Sequence, residues 1–130
     1  MKENYKKLAY EWFCKADDDL LFAKAGWKET KITSDACFLC QQAIEKYLKG
    51  FLIFYKIKPE RIHDLRKLLS ECVKINDNLK QFEEECKILN DYYVSSRYPG
   101  GEIFSFKKEQ AKEALESAEE IMEFIKKIIF

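Results

Sequence analysis

The stretch "ACFLCQQAIEKYLKGFLIFY", Ala36 to Tyr55, decides the fold that this sequence predicts. Apolar side chains recur in it at steps of three or four residues, which places them on one face of an α-helix. The positions on this face are Ala36, Cys40, Ala43, Tyr47, Phe51 and Tyr55, with Phe38, Leu48 and Leu52 beside them. A stripe of this width predicts a central helix.

The sequence on either side marks the ends of this helix. Thr33 or Ser34 is predicted to cap its beginning, since a hydroxyl there can accept a hydrogen bond from an amide of the first turn. Pro59 is predicted to end it at or before Lys58, because the residue ahead of a proline is excluded from the helical region.

Helical spacing also extends outward from this central stretch. A long first helix is predicted from Tyr5, Leu8, Trp12, Ala16, Leu20, Ala23 and Trp27, and a short one from Leu65, Leu68, Leu69 and Cys72. The segment "INDN", Ile75 to Asn78, predicts a stop followed by a cap. A fourth helical segment is then predicted from Leu79 to Ser96, and the last helix is predicted to open near Ser105.

These helices predict the fold class. No segment shows the two-residue alternation of a strand, and the connections are short, so neighbouring helices are expected to run antiparallel. The prediction is an all-α, up-and-down antiparallel four-helix bundle with one additional short helix, formed by residues 1–130 as a single domain.

The composition excludes several classes of protein. Apolar residues make up 47% and charged residues 35% of the chain, which suits amphipathic helices and speaks against disorder. Lys plus Arg equal Asp plus Glu at 23 each, so contact with nucleic acid would need a local basic cluster. No apolar run approaches the roughly 20 residues that cross a bilayer, and no membrane contact is expected.

The cysteines predict buried, reduced thiols. Five is an odd number, and the polar first residues do not form a secretory leader, so a cytoplasmic protein is expected. Cys37 and Cys40 form a CxxC inside the predicted central helix, where core packing is the expected role. Glu60 and His63 have the spacing of di-iron bundles, but the chain has only one His. No metal and no cofactor are predicted.

Other catalytic motifs are absent from the sequence. The carboxylates of the acidic run Asp17 to Asp19 cannot all converge on one ligand from a helix, so a solvated face is expected there. The chain contains no Gly-rich phosphate loop and no nucleophile elbow of the hydrolases.

Two polar segments at helix breaks remain as functional candidates, Arg61 to Leu65 and Ser95 to Glu102. His63 could serve as a proton shuttle or as a helix cap. Arg97 and Tyr98 could grip a phosphate and stack a base, whereas Arg97 could equally satisfy carbonyl groups at a helix end. The residue types leave both pairs of interpretations open.

Four blocks together resemble a known family, the HEPN domains. The blocks are "AYEWFCKADDDLLFAKA" from Ala9, "CFLCQQAIEKYLKGFL" from Cys37, "IHDLRKLL" from Ile62 and "YYVSSRYP" from Tyr92. The most specific positions are Gln41, Gln42, Ala43, Glu45, Lys46 and Lys49. The resemblance implies a helical bundle that dimerises. Many members resemble toxins paired with a small nucleotidyltransferase, and many of these cut RNA.

The resemblance also carries an RNase motif, which this chain matches only in part. The motif is an Arg followed by a His after roughly four to six residues. Arg97 matches the Arg, but Glu102, Ile103 and Phe104 begin the positions where the His is expected, and no His follows. Phe104 stands where some relatives carry a Tyr that the partner modifies, so modification is not expected there, and Tyr98 is the candidate substitute. The "RYP" form resembles a non-nuclease branch.

The leading hypothesis is a homodimeric accessory protein that binds a nucleotide or RNA and partners a nucleotidyltransferase in a toxin–antitoxin-like pair. The predicted ligand-binding residues are Arg97, Tyr98, His63, Lys46 and Lys49. An aromatic content of 15% favours a dimer, because a bundle this small buries less ring surface than that alone. One alternative is a metal-independent RNase that uses His63 and Arg97. Another is a purely structural dimeric interaction module.

Overall fold

The computed structural model describes residues 4–95 and 106–130, which form an all-α bundle. The helices are α1 Asn4–Thr30, α2 Thr33–Phe54, α3 Leu65–Ile75, α4 Glu83–Asn90, α5 Tyr92–Ser95 and α6 Lys108–Ile129, with a 3₁₀ helix at Asp77–Phe82. These described residues contain no strand, and none of their helices is both long and apolar enough to cross a membrane.

Helix α2 lies at the centre of the bundle, as its sequence predicts. It packs against α1, α3, α4, α5 and α6. Large side chains that are at most 1% exposed fill this core: Ile44, Tyr47, Leu48, Phe51 and Leu52 from α2, with Leu65, Leu79, Phe82 and Ile121 from its neighbours. The wide apolar stripe therefore has a partner on every side.

Helix α1 runs antiparallel to both of its long neighbours, α2 and α6. Lys24 pairs with Glu119 at 3.1 Å and Asp17 with Lys126 at 3.5 Å, so residue numbers fall along α1 as they rise along α6. Helices α1 and α2 are joined by only two residues, Lys31 and Ile32.

Helices α1 and α2 come into close contact at Gly50. A Cβ atom at this position would lie 2.6 Å from Cε1 of Phe13 and 3.2 Å from Cβ of Trp12. Because real Cβ atoms do not come so close to another carbon, only glycine fits the contact. The ring of Phe13 occupies that space and stacks on Tyr47, with ring centroids 4.7 Å apart.

The register of the first half of α1 differs from the predicted one. The structure buries Ala9 and Phe13, whereas Leu8, predicted on the core face, is 46% exposed. Both sets have helical spacing and are offset by one residue. The close contact at Gly50 selects Phe13, so the prediction was wrong at Leu8.

The predicted cap of α2 was also wrong. Thr33 already belongs to the helix, and its N-cap, Ile32, makes no side-chain hydrogen bond. Thr30 satisfies this corner instead, since its hydroxyl donates to the carbonyl of Gly26 at 2.7 Å and accepts from the amide of Ile32 at 3.1 Å. Helix α1 runs to Thr30, which leaves only two residues for the connection.

The end of α2 lies ahead of Pro59, as predicted. The amide of Lys56 donates to the carbonyl of Ile53 at 2.9 Å, and that of Ile57 to the carbonyl of Leu52 at 2.9 Å. This pair of bonds is a Schellman motif. It holds Lys56 at a φ of 65°, a left-handed conformation that usually requires glycine. Tyr55 thereby leaves the core and is 38% exposed, contrary to the prediction.

The predicted fourth segment is divided into three pieces. The stop at Asn76 is confirmed, and its side chain accepts a hydrogen bond from the amide of Asn78 at 3.0 Å. The 3₁₀ helix, α4 and α5 follow in succession, because spacing of three or four residues fits either helix type. Helix α6 begins at Lys108. The predicted boundaries at Ser96 and Ser105 lie outside the described residues.

Candidate functional site

A buried polar network crosses the middle of α2. Gln41, Glu45 and Lys49 lie one turn apart on the same face, and they are 0%, 4% and 7% exposed. The Nζ of Lys49 lies 3.1 Å from Oε2 of Glu45, and Nε2 of Gln41 donates to Oε1 of Glu45 at 3.4 Å. A buried carboxylate is tolerated only when it is paired and hydrogen-bonded, and Glu45 meets both conditions.

His63 completes this network from the loop between α2 and α3. Its Nδ1 lies 2.9 Å from Oε1 and 3.1 Å from Oε2 of Glu45. Gln41 also donates to the backbone carbonyl of His63 at 3.1 Å. Two residues of α2 therefore hold both the side chain and the backbone of His63.

The residues that follow His63 are fixed as well. Asp64 caps α3 by accepting hydrogen bonds from the amides of Arg66 and Lys67. The amide of Leu65 donates to the side chain of Asn90 in α4 at 2.8 Å. The loop thus meets α3 in one defined geometry, and this geometry orients the imidazole.

Tyr93 of α5 covers one face of the imidazole. The two rings stack with centroids 4.2 Å apart and planes at 14°. The side chain of His63 is nevertheless 50% exposed, while that of its partner Glu45 is only 6% exposed. The arrangement is an exposed imidazole on a buried carboxylate, and we call Glu45, Lys49, His63 and Tyr93 the His63 corner.

The contact with Glu45 determines what the imidazole can do chemically. A carboxylate only accepts hydrogen bonds, so Nδ1 must be the donor of this bond. In the neutral ring the proton then sits on Nδ1, and Nε2 carries a lone pair. Nε2, which Glu45 does not engage, can accept a proton or bind a polar group of a ligand.

The structure brings together two of the predicted ligand-binding residues. His63 and Lys49 both contact Glu45, whereas Lys46 points to α1 and forms an ion pair with Asp19. Arg97 and Tyr98 lie outside the described residues, as do Glu102 and Phe104.

Sequence reasoning did not assign Gln41, Glu45 and Tyr93 to the site. The signal for the first two was available, since both are polar residues within an apolar stripe, one turn apart. Tyr93 carried no such signal, because its stacking on His63 depends on how α5 meets the loop.

Cys37 and Cys40 pack in the core, as predicted. Both are 0% exposed, and neither forms a disulfide. Burial raises the pKa of the Cys37 thiol to about 12 and that of Cys40 further still. The thiolate is the metal-binding and redox-active form, and burial disfavours it at neutral pH.

Other potential ligands of a metal lie apart. Asp17 pairs with Lys126 and Asp19 with Lys46, so the acidic run does not converge. Within residues 4–95 and 106–130, no three His, Cys, Asp or Glu side chains are grouped so that they could hold a metal ion.

Comparisons with known proteins agree on one family. A model of the HEPN domain matches residues 9–128. The chain is similar to TT1696 from Thermus thermophilus, with a TM-score of 0.82 and 27% identity over 92% of this chain and 96% of that one. It is also similar to ST0689, an archaeal HEPN homologue, with a TM-score of 0.76 and 28% identity over 94% of this chain and 98% of that one. No curated protein matches the sequence significantly.

Proposed function

The chain belongs to the HEPN domain family, and on that premise we propose that it is an accessory protein that binds a nucleotide or RNA at the His63 corner. Arg97 and Tyr98, a few positions after Tyr93 in the sequence, are the further contacts that this proposal assigns. Lys46 is not part of it, since Asp19 engages its ammonium group.

One observation carries the proposal: His63 is half exposed and yet fixed. Exposed side chains normally keep their rotamer freedom, and ordering one costs free energy. Here Glu45 holds Nδ1 at 2.9 Å and Tyr93 stacks on the ring at 4.2 Å, so Nε2 has a defined position. A preorganised polar atom beside an aromatic ring suits a phosphate or hydroxyl group next to a base.

The His63 corner has little free positive charge of its own, so a phosphate group of the ligand needs a cation from elsewhere in the chain. Glu45 neutralises Lys49 at 3.1 Å, so this lysine offers little free charge to a phosphate. The guanidinium of Arg97 can supply two parallel hydrogen bonds to phosphate oxygens. We therefore assign phosphate binding to Arg97 and orientation of the ligand to His63.

Calorimetric titration with a short single-stranded RNA and with AMP tests the proposal. We expect His63→Ala and Arg97→Ala each to weaken binding of the preferred ligand at least tenfold. Lys28→Ala is the control, since it removes one positive charge from an exposed position near the end of α1. Equal affinities of the wild type and both site variants would remove these residues from the site.

A metal-independent RNase is the second candidate function, and the bond between Glu45 and Nδ1 favours it. It leaves Nε2 able to take the proton of a ribose 2′-hydroxyl, which RNA cleavage requires. Incubation of the purified chain with labelled RNA tests this. Cleavage that His63→Ala and Arg97→Ala both abolish would establish the RNase, whereas cleavage that persists in His63→Ala would exclude it.

A structural module is the third candidate, and the hydrogen bonds to the loop favour it. Gln41 and Glu45 attach His63 to α2 by its carbonyl and its ring. On this interpretation, their role is only to hold the loop against the helix. In that case His63→Ala lowers the midpoint of urea unfolding and no nucleotide or RNA binds. Ligand binding to the wild type that His63→Ala reduces would contradict this interpretation.

We further propose that the chain acts as a homodimer beside a nucleotidyltransferase. Two adjacent apolar side chains on α1 support an association surface, since Leu21 is 69% and Phe22 70% exposed. Light scattering at micromolar concentration tests the dimer, with Leu21→Glu expected to give a monomer. A wild-type monomer would contradict it. Co-purification with the nucleotidyltransferase of an adjacent gene tests the partner.

A further inference from the structure

A second concave surface shares Lys49 with the His63 corner. It is a groove of about 620 Å³ between the first turns of α1, the last turn of α2 and the loop that follows α2. Its floor is apolar, with Leu8 and Trp12 from α1, Ile53 from the end of α2 and Ile57 from the loop that follows it. This volume lies within the range of sites for small molecules, roughly 300–1,000 Å³.

The floor is open, and it includes the side chains that the predicted register of α1 placed in the core. Leu8 is 46% and Ile57 38% exposed. Trp12 is half-buried, and its Cβ lies in the close contact of α1 with Gly50. An aromatic ring held in this way offers a rigid surface to a planar ligand.

The rim of the groove is positively charged. Lys56, Lys58 and Arg61 are exposed on it, and Glu60 is the only acidic residue among the described residues that line it. Within the part of the chain that the structure describes, no residue forms an ion pair with any of these three cations. Three unneutralised cations against one carboxylate favour an anionic occupant.

We propose that this groove binds a mononucleotide, with the base against Trp12 and the phosphate among Lys56, Lys58 and Arg61. Several oxygens of one phosphate can accept hydrogen bonds from several cations, whereas a single carboxylate offers only two acceptor atoms. The floor extends from Tyr5 to Trp12, about 10 Å of helix, which suits a base and ribose better than a long acyl chain. The inference shares its ligand class with the proposed function, and to that extent rests on it, but the site is a different one.

Lys49 connects the two sites. Its Nζ lies 3.1 Å from Glu45 in the His63 corner and 5.8 Å from the centroid of the Trp12 ring, and it lines the groove. A nucleotide in the groove therefore binds next to the His63 corner, as a neighbouring residue of an RNA chain would.

The fluorescence of Trp12 is a direct probe of this groove. The chain has two tryptophans, so Trp27→Phe leaves Trp12 as the only one. We expect AMP to change this fluorescence saturably and to bind at least tenfold more tightly than adenosine or inorganic phosphate. Calorimetry on the chain with both tryptophans measures the same affinities without relying on Trp27→Phe to fold. No saturable binding, or equal affinity for phosphate and AMP, would overturn the proposal.

Charge reversals on the rim locate the phosphate. Lys58→Glu and Arg61→Glu are each expected to weaken AMP binding at least tenfold, since both side chains are exposed and their replacement leaves the core intact. Lys28→Glu makes the same change of charge at a position on α1 that lies roughly 24 Å from Trp12 along the helix. We expect it to alter the affinity for AMP less than twofold. If Lys58→Glu and Lys28→Glu weakened AMP binding equally, only the overall charge would matter, and the proposal that AMP binds in the groove would be overturned.

His63→Ala separates this inference from the proposed function. AMP binding that falls in Lys58→Glu and not in His63→Ala supports the groove and removes AMP from the His63 corner. AMP binding that falls in His63→Ala and not in Lys58→Glu supports the His63 corner and overturns the groove.

Discussion

Helix α2 buries two kinds of polar side chain, and they behave in opposite ways. In its first turns Cys37 and Cys40 are thiols that remain neutral, fill space and need no hydrogen-bond partner. In its middle Glu45 carries a charge and has hydrogen-bonding or ion-pairing contacts with Gln41, Lys49 and His63. A buried neutral thiol does not require particular partners, whereas a buried charge does. The carboxylate thereby fixes a loop 18 residues further along the chain.

The largest expected effect comes from removing the charge at the centre of the network. Glu45→Gln leaves the ammonium of Lys49 buried without a counter-ion, and we expect it to lower the free energy of unfolding by about 3–5 kcal/mol. Urea unfolding followed by circular dichroism measures this.

A double replacement distinguishes the charge from the packing in this experiment. Glu45→Leu combined with Lys49→Met removes both charges and keeps an apolar volume, so we expect most of the lost stability to return. A double variant as unstable as Glu45→Gln would show that shape, and not charge, dominates at this position.

The second prediction concerns the thiols and pH. The pKa of Cys37 is about 12 in the folded chain, above the value of about 8.5 in an unfolded one. The unfolded chain therefore loses this proton first, and the stabilisation, complete below about pH 8.5, is lost as the pH rises toward 12. Between these two pKa values, each such thiol steepens the decline of the free energy of unfolding by about 1.4 kcal/mol per pH unit.

Cys37→Ala isolates this contribution. The free energy of unfolding, measured in urea between about pH 8 and 10, should decline less steeply with pH in the variant than in the wild type. The same dependence on pH in the wild type and in Cys37→Ala would indicate that the pKa of the Cys37 thiol does not differ between the folded and unfolded chains.

The smallest expected effect lies next to Glu45 in the sequence. Lys46 pairs with Asp19 in a partly exposed ion pair, whose side chains are 26% and 20% exposed. We expect Lys46→Ala to change the free energy of unfolding by less than about 1 kcal/mol. A loss as large as that of Glu45→Gln would break the distinction between a buried ion pair and a partly exposed one.

Much of the fold could be predicted because apolar spacing is a local property. The central position of α2, its end before Pro59 and the stop at Asn76 all follow from residues near those positions. The first half of α1 could not be predicted, since Leu8 and Phe13 both fit a helical stripe. The choice between them is made by Gly50, which is distant from Phe13 in the sequence and in contact with it in space.

The candidate site was predictable only in part for the same reason. His63 stood out as the single imidazole of the chain, and Lys49 belonged to a recognisable block. The roles of Glu45 and Tyr93 depend on contacts between distant segments, and sequence spacing does not encode them. Spacing also could not separate Lys46 from Lys49, since the partner of Lys46 lies on α1. Arg97 and Tyr98, outside the described residues, stay predictions from the sequence.

The close contact at Gly50 has a mechanical consequence. Gly50 follows Lys49 directly, and Phe13 follows Trp12 directly, so this contact between α1 and α2 involves the immediate neighbours of residues that line the groove and, for Lys49, the His63 corner as well. A methyl group at position 50 would clash with the ring of Phe13 and push α1 and α2 apart, which would displace Trp12 and Lys49 together. The absence of one side chain thus sets the alignment of two surfaces together.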